Sequence, residues 1–116
     1  MRLREDNVEE KLTEVRLTPG KYSLYREEDR AGDSGMSWLV YDQEKSVAEG
    51  TYSWIPDSAG LIKVGYGIRV GSHYARSYTA QDWWQCSAVT EILEINEEKT
   101  MVRFRTRSSV YVAKSF

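Results

Sequence analysis

The sequence is poor in residues that cross-link or interrupt a chain, with one cysteine, Cys86, and two prolines among 116 residues. A single cysteine forms no internal disulfide, which excludes the disulfide-stapled folds of small secreted proteins. The charged residues 1–6 are not followed by an apolar run, so we expect no signal peptide. No stretch approaches the ~18 apolar residues of a membrane span. We therefore expect a cytoplasmic protein that does not enter a membrane.

Neither sign of charge dominates, since 16 basic and 18 acidic residues leave a net charge of −2. Residues 1–58 hold eight basic and thirteen acidic residues, whereas residues 59–116 hold eight basic and five acidic. Two interpretations are open: the halves pack together and partly neutralise each other, which we favour, or the basic half meets an acidic partner.

The clearest secondary-structure pattern is the strict alternation of residues 101–107. Apolar or small side chains alternate there with arginines, namely Arg103, Arg105 and Arg107. This period of two predicts a β-strand with one buried face and one face of arginines. Similar segments precede it at 87–95 and follow it at 109–113, so we predict a three-stranded meander.

The N-terminal part is predicted to form β-hairpins over residues 14–55, behind a charged segment at 1–13. The first hairpin joins Thr13–Leu17 to Lys21–Arg26 through Thr18-Pro19-Gly20, a turn-forming sequence. We predict a surface loop at 27–35. A further strand is predicted at 46–55.

About eight short strands and almost no helical periodicity predict an all-β fold in one domain, residues 1–116. Residues 61–115 run through a strand, a long connection at 71–86, and three strands joined by tight turns. That order resembles an SH3-like barrel. We predict a small SH3-like barrel in the C-terminal half, extended by the N-terminal β-hairpins.

Residues with catalytic chemistry are few, and their spacing matches no catalytic signature. His73, Cys86 and Asp82 are the only candidates for a nucleophile, a base and an orienting group. The glycine-rich run 65–71 lacks the Gly-Lys-Ser/Thr end of a phosphate-binding loop. Three or four zinc ligands at suitable spacing are missing as well. We predict a protein that is not an enzyme and needs no cofactor.

The 71–86 connection combines aromatic and basic side chains, as the hot spots of protein interfaces do. We predict a partner-binding surface made by this connection and the arginine face. Its residues are Tyr74, Arg76, Tyr78, Trp83, Trp84, Arg103, Arg105 and Arg107. An alternative is that the connection folds back onto the barrel through its own aromatics. Glu91 and Glu94 are also placed to pair with the arginines across strands.

Aromatic residues interleaved with basic ones also stack on single-stranded nucleic acid, so nucleic-acid binding is the second hypothesis. A sequence pI of about 5.5 is low for a nucleic-acid-binding protein. Binding to a protein is therefore the leading hypothesis, and self-association into a homo-oligomer is left open.

Three segments resemble small uncharacterised proteins of tailed bacteriophages: Tyr78–Trp84, Ser87–Leu93 and Phe104–Tyr111. The resemblance covers residues 67–112 and carries no functional residues. Proteins of this kind are often accessory factors that bind a host protein. The resemblance implies a phage-encoded inhibitor of a host or defence protein, acting in the host-cell cytoplasm.

Overall fold

A computed structural model of the chain describes residues 12–71 and 83–116. These residues form eleven strands and one short helix, which confirms the predicted all-β class. In chain order the elements are β1 (Glu14–Arg16), β2 (Tyr22–Arg26), β3 (Gly32–Gly35), β4 (Ser37–Asp42), α1 (Gln43–Glu49), β5 (Trp54–Ile55), β6 (Leu61–Lys63), β7 (Tyr66–Gly71), β8 (Trp83–Cys86), β9 (Val89–Ile95), β10 (Met101–Thr106) and β11 (Val110–Ser115). Among these elements there is no helix long and apolar enough to cross a membrane.

The strands form two main antiparallel sheets. One has five strands in the order β3-β2-β11-β10-β9, and the other has four in the order β5-β4-β7-β8. Strands β9, β10 and β11 pair consecutively, so the predicted meander is confirmed. A hairpin of β2 and β3 extends this meander at β11, and β1 pairs separately with β6. The SH3-like topology stays a prediction.

The inner faces of the two sheets share one apolar core. Leu24 and Phe104 enter it from the five-stranded sheet, and Val40 and Ile68 enter it from the four-stranded sheet. Each is fully buried. Burying one such side chain stabilises the fold by roughly 1.5–3 kcal/mol. The core therefore fixes the orientation of both sheets, and their outer faces are left for other roles.

The predicted hairpin of residues 13–17 with 21–26 is wrong. Strand β1 pairs with β6, whereas β2 pairs with β3 and β11. The Thr18 N–H donates to the Lys99 carbonyl over 2.8 Å, which ties the intervening turn to the β9–β10 turn. Thr18-Pro19-Gly20 therefore leads the chain from one sheet to another. Turn residues set the local direction of the backbone but do not choose the strand that pairs after it.

The predicted strand at 46–55 is wrong over its first part, because residues 43–49 are helical. The Asp42 side chain caps the helix by accepting a hydrogen bond from the Lys45 N–H over 3.0 Å. Gly50 ends it in the left-handed conformation, with φ of 75°, and donates its N–H to the Ser46 carbonyl. Both caps satisfy backbone groups that a short helix leaves open. Only Trp54–Ile55 is a strand.

The predicted surface loop at 27–35 is shorter than expected, because Gly32–Gly35 is strand β3. Gly32 lies so close to β2 that a Cβ atom there would overlap the Leu24 carbonyl oxygen. A glycine inside a strand commonly marks such a close approach. Gly32 is thus what allows β3 to pair at this edge.

Candidate partner-binding surface

The 71–86 connection is described only at its two ends. Tyr74, Arg76 and Tyr78 lie outside the described residues, as do the catalytic candidates His73 and Asp82. Trp83 begins strand β8, and its backbone pairs with Gly71 of β7. The hypothesis that this connection binds a partner therefore stays a prediction.

Trp84 packs against the core instead of standing on an exposed face. Its ring lies among the partly buried side chains that contact the apolar core, opposite Val70 of β7. The Arg26 guanidinium stacks over the ring, with 5.3 Å from Cζ to the ring centroid. A carboxylate of Asp29 holds that guanidinium through two hydrogen bonds of 2.9 and 2.7 Å. Arg26 thus covers Trp84 from outside and limits its access to a partner.

The arginine strand has the predicted two faces, but two of its three arginines are paired with carboxylates. Arg103 donates two hydrogen bonds to Glu27, of 2.8 and 2.9 Å, and lies 4.0 Å from Glu94. Arg105 donates to Glu91 over 2.9 Å. The hydrogen bonds from Arg103 lower the pKa of Glu27, as expected of a paired carboxylate. The alternative of cross-strand ion pairs is confirmed for these two arginines.

Arg107 differs from its neighbours on the arginine strand. It follows the end of β10 and is exposed, and no ion pair links it to another described residue. A phosphate or an acidic protein approaching the arginine face meets carboxylates beside Arg103 and Arg105. The electrostatic attraction of that face is therefore far smaller than three arginines suggest.

Cys86, the thiol among the catalytic candidates, is sealed in the core at the end of β8. Burial raises the pKa of Cys86 to about 12. A thiol needs its deprotonated form to act as a nucleophile, and reactive cysteines lie in exposed, electropositive surroundings. Among the described residues there is also no group of three or more His, Cys, Asp or Glu that could hold a metal ion.

Alkylation tests whether Cys86 is as inert as its surroundings indicate. We expect iodoacetamide at about pH 8 to leave the native protein unmodified, because burial and the raised pKa suppress the thiolate. Full modification should follow in denaturant, and intact-mass spectrometry measures both reactions. Equal rates in native and denatured protein would show that the thiol is accessible and would reopen a catalytic role.

A cluster of aromatic rings lies on the outer face of the four-stranded sheet. Tyr52 and Trp54 lie 5.2 Å apart between ring centroids, and Tyr41 meets both rings edge-on at 5.0 and 5.6 Å. Arg69 stacks over Trp54 at 4.7 Å and over Tyr52 at 5.7 Å. Leu39 lies beside them, opposite Arg69 in the ladder. We call this set, Leu39, Tyr41, Tyr52, Trp54 and Arg69, the aromatic face.

Polar contacts hold the aromatic face in one arrangement. Arg69 Nε donates to Gln85 Oε1 over 3.0 Å, and Gln85 Nε2 donates to the Tyr52 hydroxyl over 2.8 Å. The Tyr41 hydroxyl donates to the Cys86 carbonyl over 2.9 Å. Burial raises the pKa of Tyr41, so this hydroxyl stays protonated and remains a donor. The guanidinium and the rings are thus positioned before any partner arrives.

Local sequence explains why the aromatic side chains meet. Tyr41 faces Gly67 on β7, and the missing side chain of Gly67 leaves room for the Tyr41 ring. The left-handed Gly50 turns the chain back after α1, and the Ser53 N–H donates to Ser46 Oγ over 2.8 Å. This return places Tyr52 over β4.

The aromatic face combines exposure with a neighbouring cavity. Tyr52 is 47% exposed and Leu39 is 40% exposed, so both present apolar surface to solvent. A cavity of about 340 Å³ lies next to Tyr52 and is also lined by Tyr41, Ser46 and Val47. Apolar and polar residues share this lining. Exposed apolar surface with a concave neighbour is typical of protein-binding sites.

Sequence reasoning missed the aromatic face. The strand predicted at 46–55 includes both Tyr52 and Trp54 and gives no reason to connect either residue with Arg69. Tyr52 and Trp54 are two residues apart, and side chains with this spacing on an extended chain point to the same face. This spacing is the sequence feature that indicates neighbouring rings. Recognising Asp42 and Gly50 as helix caps would have isolated this pair from the preceding residues.

Comparison with family models, with curated proteins and with solved structures finds no match for this chain.

Proposed function

We propose that this protein is a non-enzymatic protein-binding module and that the aromatic face is its contact surface. The observation that carries the proposal is the stack of Arg69 on Trp54 and Tyr52 at a partly exposed position. Trp, Tyr and Arg are the residues most enriched among the hot spots of protein interfaces. The partner is a second, different protein that inserts an apolar side chain into the cavity beside Tyr52.

Pre-organisation supports this choice of surface. Gln85 links Arg69 to Tyr52 by two hydrogen bonds, so the side chains lose little freedom when a partner binds. Ordering a long side chain at an interface costs about 0.5–1.5 kcal/mol. The arginine face lacks this advantage, because a partner has to displace Glu27 or Glu91 from Arg103 or Arg105.

The ion pairs of Arg103 and Arg105 also argue against the hypothesis of nucleic-acid binding. Phosphate-driven binding needs several basic side chains that release counterions when they meet the backbone. Arg103 and Arg105 are partly neutralised within the chain, and the net charge is −2. The narrower hypothesis of a phage-encoded inhibitor of a host or defence protein rests on the resemblance of residues 67–112. It is part of the proposal and is tested by the identity of the partner.

Parallel capture experiments with variants test the proposal. The wild-type protein and the Tyr52→Ala, Leu39→Ser and Arg107→Ala variants are immobilised and exposed to nuclease-treated bacterial lysate. We expect a stoichiometric partner with wild type and with Arg107→Ala, and its loss with the other two variants. Truncating a hot-spot residue costs about 2 kcal/mol or more, which corresponds to roughly 30-fold weaker binding.

Two measurements make this experiment decisive. Thermal unfolding of each variant shows whether lost binding reflects a lost fold, because Tyr52 and Leu39 are exposed and their replacement should be tolerated. Sedimentation of the purified protein detects self-association through the same face. Equal partner affinity of wild type and Tyr52→Ala would remove the aromatic face from the proposal, and recovery of nucleic acid alone would favour the second hypothesis.

A further inference from the structure

A groove on the outer face of the five-stranded sheet lies apart from the aromatic face. It has a volume of about 610 Å³ and is lined by residues of β2, β3, β11 and the adjoining turns. Sites for small molecules commonly occupy about 300–1,000 Å³. We call this depression the basic groove, because its lining includes Lys21, Arg30 and Lys114.

Three hydroxyl groups line the basic groove. Ser23 faces Lys114 on one neighbouring strand and Ser34 on the other, so the three side chains form one row across the sheet. Tyr25 lies one row further along, opposite Val112. Directly opposite residues of a ladder have Cβ atoms about 4.5–5.5 Å apart, so Ser23 lies next to both Lys114 and Ser34 on this face.

The Ser23 hydroxyl is the most informative group in the basic groove. Ser23 is 4% exposed, and its side chain makes no hydrogen bond to any described residue. Its hydroxyl oxygen is not fully buried, because Trp84 Nε1 is the one fully buried side-chain polar atom without a partner among the described residues, so this oxygen still reaches the groove. The hydroxyls of Tyr25 and Ser34 likewise have no partner within residues 12–71 and 83–116. These groups are available to a molecule in the groove.

Three basic side chains of the groove have no ion pair among the described residues, in contrast to Arg103 and Arg105 of the arginine face. Lys21, Arg30 and Lys114 form no ion pair with another described residue. The one carboxylate side chain of the groove lining, Glu27, is bound by Arg103. Arg26 also lines the groove and is balanced by Asp29. Three basic side chains of the groove are therefore not paired with a carboxylate side chain of the described residues.

Arg30 occupies a backbone position that is unusual for an arginine. Its φ is 63°, in the left-handed region, which glycine and asparagine adopt more readily than long side chains. The turn is closed by hydrogen bonds of 2.8 Å from Arg30 N to Arg26 O and 2.7 Å from Arg26 N to Ala31 O. A tight turn thus presents a charged side chain at the groove at some conformational cost.

We propose that the basic groove binds a small organic anion with two or more negative charges, of the phosphorylated or polycarboxylate class. Ser23 and Ser34 donate hydrogen bonds to its oxygens, while Lys21, Arg30 and Lys114 supply the opposite charge. Tyr25 and Val112 contact its carbon skeleton. A small molecule is favoured over a nucleic-acid strand because the cations surround one depression instead of following a line across the surface. The protein surface proposed for a partner plays no part in this site.

Calorimetric titration with inorganic pyrophosphate and with citrate, each at constant ionic strength, tests the proposal. We expect at least one of these anions to bind wild type, and Lys114→Ala and Ser23→Ala to weaken that binding by roughly tenfold. Arg107→Ala is the matched control, because it removes one positive charge from an exposed position outside the groove. It should bind with wild-type affinity.

Amide chemical shifts locate the bound anion. The largest changes are expected in β2, β3 and β11, and thermal unfolding verifies that each variant is folded. Absence of binding by both anions would overturn the proposal, as would equal weakening by Arg107→Ala and Lys114→Ala, since net charge alone would explain that result. A single-stranded oligonucleotide that displaces pyrophosphate and binds more tightly would overturn the small-molecule assignment.

Discussion

Replacing Phe104 with alanine should lower the free energy of unfolding by about 3–5 kcal/mol, the usual cost of truncating a fully buried phenylalanine. Phe104 is 0% exposed and stacks on Tyr111 with ring centroids 5.7 Å apart and an interplanar angle of 14°. It lies on β10, the middle strand of the meander, so the cavity left by its ring opens between the two sheets. Nearby backbone is fixed in ladders on both sides and cannot collapse fully into that space.

Denaturant unfolding followed by tryptophan fluorescence measures this effect, with Arg105→Ala as the control. Arg105 is the next residue on the same strand, but its side chain is 50% exposed and pairs with Glu91. A surface ion pair contributes about 0–1 kcal/mol, so the control should stay close to wild type. Losses of similar size in the two variants would mean that β10 does not have one buried and one exposed face.

Strand β10 shows what an alternating sequence pattern can predict and what it cannot. Alternation of apolar and charged residues over 101–107 predicts the strand, its two faces and its place in a meander. All three depend on side-chain periodicity and short turns, which are local properties. The same pattern does not show whether the arginines are free. Glu27, which binds Arg103, comes from a turn 76 residues earlier in the chain.

The pairing errors have a common physical origin. Strand β1 pairs with β6, more than forty residues away, because Val15 and Leu17 are buried by partners that no local pattern identifies. Helix α1 was missed for a different reason. The helix has only seven residues, which is too short for a helical period to stand out in the sequence. Its formation depends on the caps Asp42 and Gly50.

Both proposed sites depend on contacts between residues that are far apart in the sequence. Tyr52 and Trp54 reach Arg69 only after α1 and Gly50 have turned the chain back over β4. Ser23 faces Lys114 only because β2 pairs with β11 near the other end of the chain. Neither arrangement is a motif in the sequence. Each becomes visible when the register of the sheets is known.

Replacing Gly67 with alanine should destabilise the protein by roughly 1–3 kcal/mol, although alanine usually suits a strand better than glycine does. Gly67 has no positive φ, so its backbone tolerates a side chain. The obstacle is Tyr41, whose ring lies where the alanine Cβ would be. A buried ring cannot move aside without disturbing Tyr52 and Trp54, which it contacts edge-on. We therefore expect the near-UV circular dichroism of the aromatic face to change together with stability.

A double-mutant cycle isolates that contact. Tyr41→Ala alone should be costly, because it removes a buried ring and its hydrogen bond to the Cys86 carbonyl. In that background the added methyl group at position 67 meets no ring, so the second substitution should be neutral or slightly stabilising. Unfolding free energies of wild type, both single variants and the double variant give the coupling. A coupling near zero would show that Gly67 does not have to be small to leave room for the Tyr41 ring.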